Sequence, residues 1–363
     1  MWKNFNIIAA GVGVAMLSAS PAVADTISPV SFVDKVLPYG STTLRKTVVI
    51  ESAPPTSALL DVMFVFDVTG SMGGAITAAK TSASQTIAGL GGFGNLQTGS
   101  GWYSDPLFNG VHVDLNGGNT GAASGINDMW DTGNCIVAGV FVGCGGDAAE
   151  VGYAGVQDAA NNASWRTGSN RVIVALGDQS FKNGPGGETQ VTAQAALNAN
   201  NVDLVGVSFG SAFDSSITGL GGTVVAGSTD PDDIATIIKD LVSTTFENYS
   251  SVSVDTLGTG LPEFAFSAVC VSADTGACVG DEAVGTYDRS IDRTFEFDVT
   301  FTDTTGVPGT MKTFETYALV DGGIVATETD KITVTPLPGS VAMMGAALAG
   351  MGYIAYRRNK KTT

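Results

Sequence analysis

Histidine is almost missing from this chain: His112 is the one instance in 363 residues. Ser-His-Asp triads, Cys-His dyads and multi-histidine zinc sites must all use it or be absent. It sits in the alternating run Val111-His112-Val113-Asp114-Leu115, where an ordinary strand residue is expected. Positive charge is also scarce, with 17 Lys and Arg against 35 Asp and Glu, a formal net charge of −18. That balance excludes nucleic acid as a partner, because binding it takes a basic footprint. It favours solubility and draws cations, although a generic acidic surface explains it equally well. Charged residues of either sign make up only 14% of the chain, against 44% hydrophobic residues and 48 glycines. Such a composition suits an exported, strand-rich or α/β protein with long glycine-rich loops. Cysteine is limited to four residues in two local pairs, Cys135/Cys144 and Cys270/Cys278, neither with CxxC spacing. In an oxidising compartment two short-loop disulfides are the expectation, and metal or redox use is not.

Both ends read as addresses. Residues 1–24 place Lys3 before an apolar run and end in Ala22-Val23-Ala24, a small-x-small site before Asp25. This is the pattern of a secretory signal peptide; a retained membrane anchor is the alternative. Residues 336–363 place a Pro-Leu-Pro turn before about 18 apolar or small residues, near the minimum for a membrane span. Arg357, Arg358, Lys360 and Lys361 follow and would stay cytoplasmic. The segment resembles the PEP-CTERM sorting signals of Gram-negative bacteria, in the VPLPA-type variant, departing from it at Thr335 and Gly339. The resemblance implies cleavage near Pro338 by a processing protease at the inner membrane and transfer to the cell surface or matrix. A plain tail anchor is the alternative. Removal of both ends leaves 12 basic and 35 acidic residues, a net charge of −23.

The length suffices for two domains plus these segments. Residues 58–249 alternate between buried-strand and helical patterns. Leu59–Asp67, Asn170–Asp178 and Val202–Gly210 are nearly continuous apolar runs of the kind covered on both faces. Met72, Ile76, Ala79, Ala83, Ile87 and Leu90 recur at helical spacing. The pattern predicts an α/β domain, a doubly wound and mostly parallel Rossmann-like sheet. Residues 28–57 and 250–335 read as strands and turns only. The first of these flanks is too short to bury a core alone. One all-β, immunoglobulin-like sandwich interrupted by the α/β domain is expected, rather than two small β-units.

In such a sheet, ligand sites lie at the carboxyl ends of the strands. Asp67, Thr69 and Ser71 leave one such end on a tight turn relaxed by Gly70. A carboxylate and two hydroxyls at this spacing converge on one point, and these hard oxygens suit Mg²⁺, Mn²⁺ or Ca²⁺. Too few charges are supplied to saturate an ion, so one coordination position stays open. Taken singly, Asp67 could be a helix cap and Asp178 a turn residue.

The stretch Asp67–Met72 resembles the D-x-S/T-x-S signature of von Willebrand factor A domains, the metal-ion-dependent adhesion site. The resemblance implies further ligands from two later loops, filled here by Glu150 and Asp178. Around Glu150, and again in the two cysteines and strands of residues 260–301, the chain resembles integrin β-subunits, whose hybrid-domain sandwich carries the A domain as an insert. Gly73, Gly74 and Ala75 stand where those subunits place an acidic pair, so the neighbouring inhibitory ion is expected to be missing. A second ion held by Asp105, Asp147 and Glu150 is implied in part, weakened by Gly145 where an asparagine ligand belongs. The function implied is non-enzymatic capture of an acidic protein or polysaccharide through the divalent ion, at the bacterial surface or in its matrix. A structural matrix protein whose metal site is vestigial or only stabilising is the alternative. A metal-dependent hydrolase is disfavoured by the lack of histidine.

Overall fold

The computed structural model describes residues 24–115, 118–129, 135–145 and 148–336, with 347, 348 and 351. The signal-peptide segment, apart from Ala24, and nearly all of the C-terminal sorting segment lie outside these residues. Among the described residues no helix is long and apolar enough to cross a membrane.

The described residues open with three strands, β1 (Thr26–Ser28), β2 (Ser31–Val36) and β3 (Ser41–Ile50). It then enters an α/β unit: β4 (Ala58–Asp67), α1 (Gly73–Leu90), β5 (Gly94–Tyr103), β6 (Phe108–Val113) and α2 (Gly118–Asp128). A two-strand ribbon follows, β7 (Ile136–Val137) and β8 (Val140–Phe141), then α3 (Gly152–Asn162), β9 (Asn170–Gly177), α4 (Gln190–Ala199) and β10 (Val202–Ser208). The unit closes with α5 (Ser211–Gly219), β11 (Thr223–Ala226) and α6 (Pro231–Thr244). Seven further strands follow among the described residues: β12 (Asn248–Asp255), β13 (Phe264–Ser272), β14 (Ala277–Val279), β15 (Glu282–Asp288), β16 (Arg293–Asp303), β17 (Met311–Val320) and β18 (Gly323–Val334).

The inserted unit is a six-stranded sheet in the order β11-β10-β9-β4-β5-β6, parallel throughout except for the β6 edge. Alternation along β4 explains its apolar run. Val62, Phe64 and Phe66 pack with α1, α2 and α6, whereas Met63 and Val65 pack with α3, α4 and α5 on the other face. This is the doubly wound α/β architecture expected from the sequence. Asp61 is fully buried within the run, and Arg166 satisfies it: Nε donates to Oδ1 at 2.7 Å and the backbone N–H to Oδ2 at 2.8 Å. Helix α6 starts as its sequence dictates, with Asp230 accepting from Asp232 N–H and Pro231 in the first turn.

The flanking strands form two facing sheets, β1-β3-β16-β13 and β14-β15-β12-β17-β18-β2. Strands from both flanks pair in each, β3 with β16 and β2 with β18, around a shared core of Val48, Ile50, Phe295, Phe297, Phe314 and Ile332. Strands β1 and β12 start two residues outside the boundaries that composition suggests. The seam between the units is polar and bonded. Asn170 Nδ2 donates to the carbonyls of Leu59 and Ile324, Ile324 N–H donates to Gly168, and Ser57 donates to Val325.

Both disulfides form as paired in the sequence, Cys135–Cys144 and Cys270–Cys278. The first closes a loop of sequence separation 9 beside the candidate site. Replacing both of its cysteines by alanine is expected to cost about 2–3 kcal/mol of unfolding free energy, the loop-closure entropy of so short a ring. A urea midpoint lowered at unchanged m-value would show it.

Candidate metal centre

Asp67 is the last residue of β4 and is completely buried. The turn that follows folds back onto it: Thr69 donates to Asp67 Oδ1 from its backbone N–H at 2.9 Å and from its hydroxyl at 2.6 Å. That leaves Asp67 Oδ2 buried with no hydrogen-bond partner. Thr69 is buried, while Ser71 is exposed on the single 3₁₀ turn Gly70–Met72 that leads into α1. Val68 N–H donates to Tyr103 O, so the turn is pinned to the end of β5.

Two more loops reach the same end of the sheet. Asp178 follows β9 directly and is half-buried, with its Oδ1 buried and unpartnered. The next loop presses against it: a Cβ on Gly210 would lie 2.2 Å from Asp178 O, so only glycine permits this approach. Glu150 is 3% exposed and enters on the segment before α3. A short parallel bridge with Phe181 holds it, with Glu150 N–H donating to Ser180 O and Lys182 N–H donating to Glu150 O. Gly145 adopts φ +80°, and a Cβ there would meet Glu150 Oε1 at 2.7 Å. The glycine in place of an asparagine therefore makes room for the Glu150 carboxyl.

The three carboxyls share one electrostatic environment. Burial pushes Asp67 up to about 7, opposed by the Thr69 hydrogen bonds and reinforced by Asp178. Tyr103 is fully buried beneath the site, and its hydroxyl is pushed well above the usual tyrosine range by burial, then by Asp67, Glu150 and Asp178. Among the described residues no group of three or more His, Cys, Asp or Glu side chains is placed, as it stands, to hold a metal ion. Burial first, and the neighbouring Asp178 charge after it, disfavour the charged form of Asp67. What fits a hard divalent cation is the chemistry of the two buried carboxylate oxygens, Asp67 Oδ2 and Asp178 Oδ1, which have no hydrogen-bond partner.

The second proposed site looks different. Asp105 Oδ2 is paired with Lys182 Nζ at 2.7 Å, and Asp147 lies outside the described residues. A tethered ammonium thus supplies Asp105 with the positive charge that a second ion would bring. Sequence reasoning missed both Lys182 and Tyr103. Tyr103 is the last residue of β5, and neither it nor Lys182 carries a local signal of its place beside the site. His112 lies on β6 and contacts Asp128 Oδ2 through Nε2 at 3.0 Å, away from this cluster.

No family model matches the chain, and no curated protein matches it. Among solved structures it is similar to a von Willebrand factor type A protein from Catenulispora acidiphila, at 15% identity and a TM-score of 0.35, covering 86% of this chain and 73% of that one. It is also similar to proximal thread matrix protein 1 from the mussel byssus with a zinc-occupied MIDAS motif, at 17% identity and a TM-score of 0.39. That match covers 55% of this chain and 48% of the mussel protein, so the chain spans about half the length of that relative. The fold rests on the strand order, and the candidate site on the side-chain placement, given above.

Proposed function

We propose that the protein is an adhesion or matrix-binding protein that captures an acidic group through a divalent cation. Asp67, Thr69, Ser71, Glu150 and Asp178 would hold the ion, and the ion would supply the positive charge that a carboxylate of a protein or polysaccharide ligand needs. The observation that carries this reading is a fully buried Asp67 with one oxygen unpartnered, beside a similarly unpartnered Asp178 oxygen, at the carboxyl edge of a doubly wound sheet. Mg²⁺ is the preferred ion, with Mn²⁺ or Ca²⁺ accepted by the same oxygens. The reading is of a binder and not an enzyme, exported and displayed at the cell surface or in the matrix after C-terminal processing. The interrupted sandwich would serve as the integrin-hybrid-like base on which the binding domain is mounted.

Calorimetric titration of Mg²⁺ and Mn²⁺ into the EDTA-stripped protein tests the site. Glu150→Gln and Asp178→Asn are each expected to weaken binding by at least about tenfold, since even outer-shell partners of a metal are worth 10–100-fold. Attachment of the wild type to native matrix is expected to fail in EDTA and return with Mg²⁺. Attachment indifferent to EDTA, in a protein that still binds the ion, would instead favour a structural protein with a stabilising site.

A further inference from the structure

A lysine lies inside the sandwich. Lys46 and Asp330 are completely buried, and Glu328 is 4% exposed. Lys46 comes from β3 in one sheet; Glu328 and Asp330 come from β18 in the other and, two residues apart, share its inward face. Lys46 Nζ forms an ion pair with Glu328 Oε1 and donates to Asp330 Oδ1 at 2.9 Å. Thr316 Oγ1 donates to Asp330 Oδ2 at 3.0 Å. Beyond the Lys46 ion pair, neither Glu328 oxygen has a hydrogen-bond partner. The surroundings are apolar: Phe297 opposite Lys46, Phe314 opposite Asp330, and Val48, Ala326 and Ile332 along the strands.

One ammonium and two carboxylates would leave a net negative charge in this core, and an uncompensated buried charge is strongly destabilising. One carboxyl therefore carries a proton. Burial pushes Glu328 up to about 7, against the pull of Lys46, which makes it the acid of the pair. A lysine nitrogen, a carboxylic acid and a proton-accepting carboxylate are then held together inside an apolar core. Fixed contact of this kind replaces a bimolecular encounter with a local one.

We propose that Lys46 and Glu328 condense into an amide that joins the two sheets covalently, with Asp330 as the proton acceptor. Asp330 takes a proton from the Lys46 ammonium along their hydrogen bond. The freed Nζ lone pair attacks Cδ of the protonated Glu328 carboxyl and forms the C–N bond. Asp330 passes its proton to the departing hydroxyl, the C–O bond breaks, and one water leaves. The second nitrogen proton ends on Asp330. No oxidant or cofactor enters. An ion pair and an acid become an amide and an acid, so the core ends with no charge at all, which the apolar setting favours. The link has a mechanical place. Strand β3 runs into the connection to the inserted domain, and β18 is the last described strand before the C-terminal segment. Tension between a bound ligand and that end would cross the amide.

Peptide mapping of the purified full chain, made in EDTA so that the cation site plays no part, tests the proposal. Trypsin is expected to release Lys46–Lys80 and Thr313–Lys331 as one joined species, lighter by one water than the two apart, with fragmentation placing the bond between Lys46 and Glu328. Lys46→Met is expected to abolish the joined species, and Asp330→Asn to leave most of the chain unlinked. Should Asp330→Asn fail to fold, the wild-type map still decides. Two separate peptides with unmodified Lys46 and Glu328 would overturn the proposal, and a bond mapped to Asp330 would overturn the assignment of roles.

Discussion

Metal-free protein is expected to lose stability as the pH rises from about 4 to about 7, and Asp67→Asn is expected to remove much of that loss. The folded Asp67 carboxyl titrates near 7 against an ordinary value of 3.8, because burial penalises its charged form. Below pH 4 the group is protonated in both states and contributes nothing. Between 4 and 7 the folded state binds more protons than the unfolded one, so stability falls as pH rises. Above 7 the whole penalty is present, on the order of 4 kcal/mol at 1.36 kcal/mol per unit. Asp203, raised to about 6 by burial and by Asp321, contributes to the same window, as does any Glu328 left as a free carboxyl. The measured quantity is therefore the difference between wild type and variant in urea midpoints at about pH 4 and about pH 8, both in EDTA. Saturating Mg²⁺ should close most of that gap. At a hundredfold excess over Kd an ion that binds only the folded state adds about 2.7 kcal/mol to the wild type and nothing to the variant. Cation affinity should itself weaken as pH falls through 7, since the Asp67 proton must leave before the ion binds. Equal pH slopes in wild type and Asp67→Asn would refute this account of the site.

The residues that announced this site in sequence are those whose roles are local. Asp67, Thr69 and Ser71 share one turn, and their spacing alone implies convergence. Glu150 and Asp178 needed the resemblance to known adhesion domains, because only the folded sheet brings loops so far apart in sequence to one edge. The buried strands were legible for a similar reason: β4 is apolar on both faces, as a short run must be when helices cover it from either side. Helix α4 carries a weaker signal, because it buries only Ala193, Ala196 and Leu197, too thin a stripe to stand out from a polar loop. Lys46 is hidden for the opposite reason. In β3 it takes an inward place between polar and apolar neighbours, and a lone lysine in an alternating strand reads as a surface residue until its partners on β18 are seen. Lys182 belongs to the same class, since its meaning lies wholly in Asp105 and the backbone of Glu150.

Arg289→Ala is expected to be among the most destabilising single changes in the protein, at about 3–5 kcal/mol, the scale for removing one partner of a buried ion pair. Its guanidinium sits where both crossings between the two units meet. Nη1 and Nη2 hold Asp25 through a two-pronged pair at 2.8 Å each, with both side chains buried. Nη1 also donates to the carbonyls of Glu51 and Ala53 on the outgoing connection, and Nε donates to Phe246 O on the returning one. The variant would strand a buried Asp25 carboxylate and three carbonyls together. Lysine at this position is expected to rescue little, because a point charge cannot reproduce the planar fork. The cost should appear as a lowered urea midpoint and as faster proteolysis within residues 51–57, the connection that Arg289 ties down. Pairing Arg289→Met with Asp25→Asn separates charge from geometry. If the penalty is mainly the orphaned carboxylate, the double variant recovers a large part of the loss despite having fewer hydrogen bonds. If the bonds to both connections dominate, the double variant stays as unstable as the single one, and the clamp is what keeps the inserted domain seated on its sandwich.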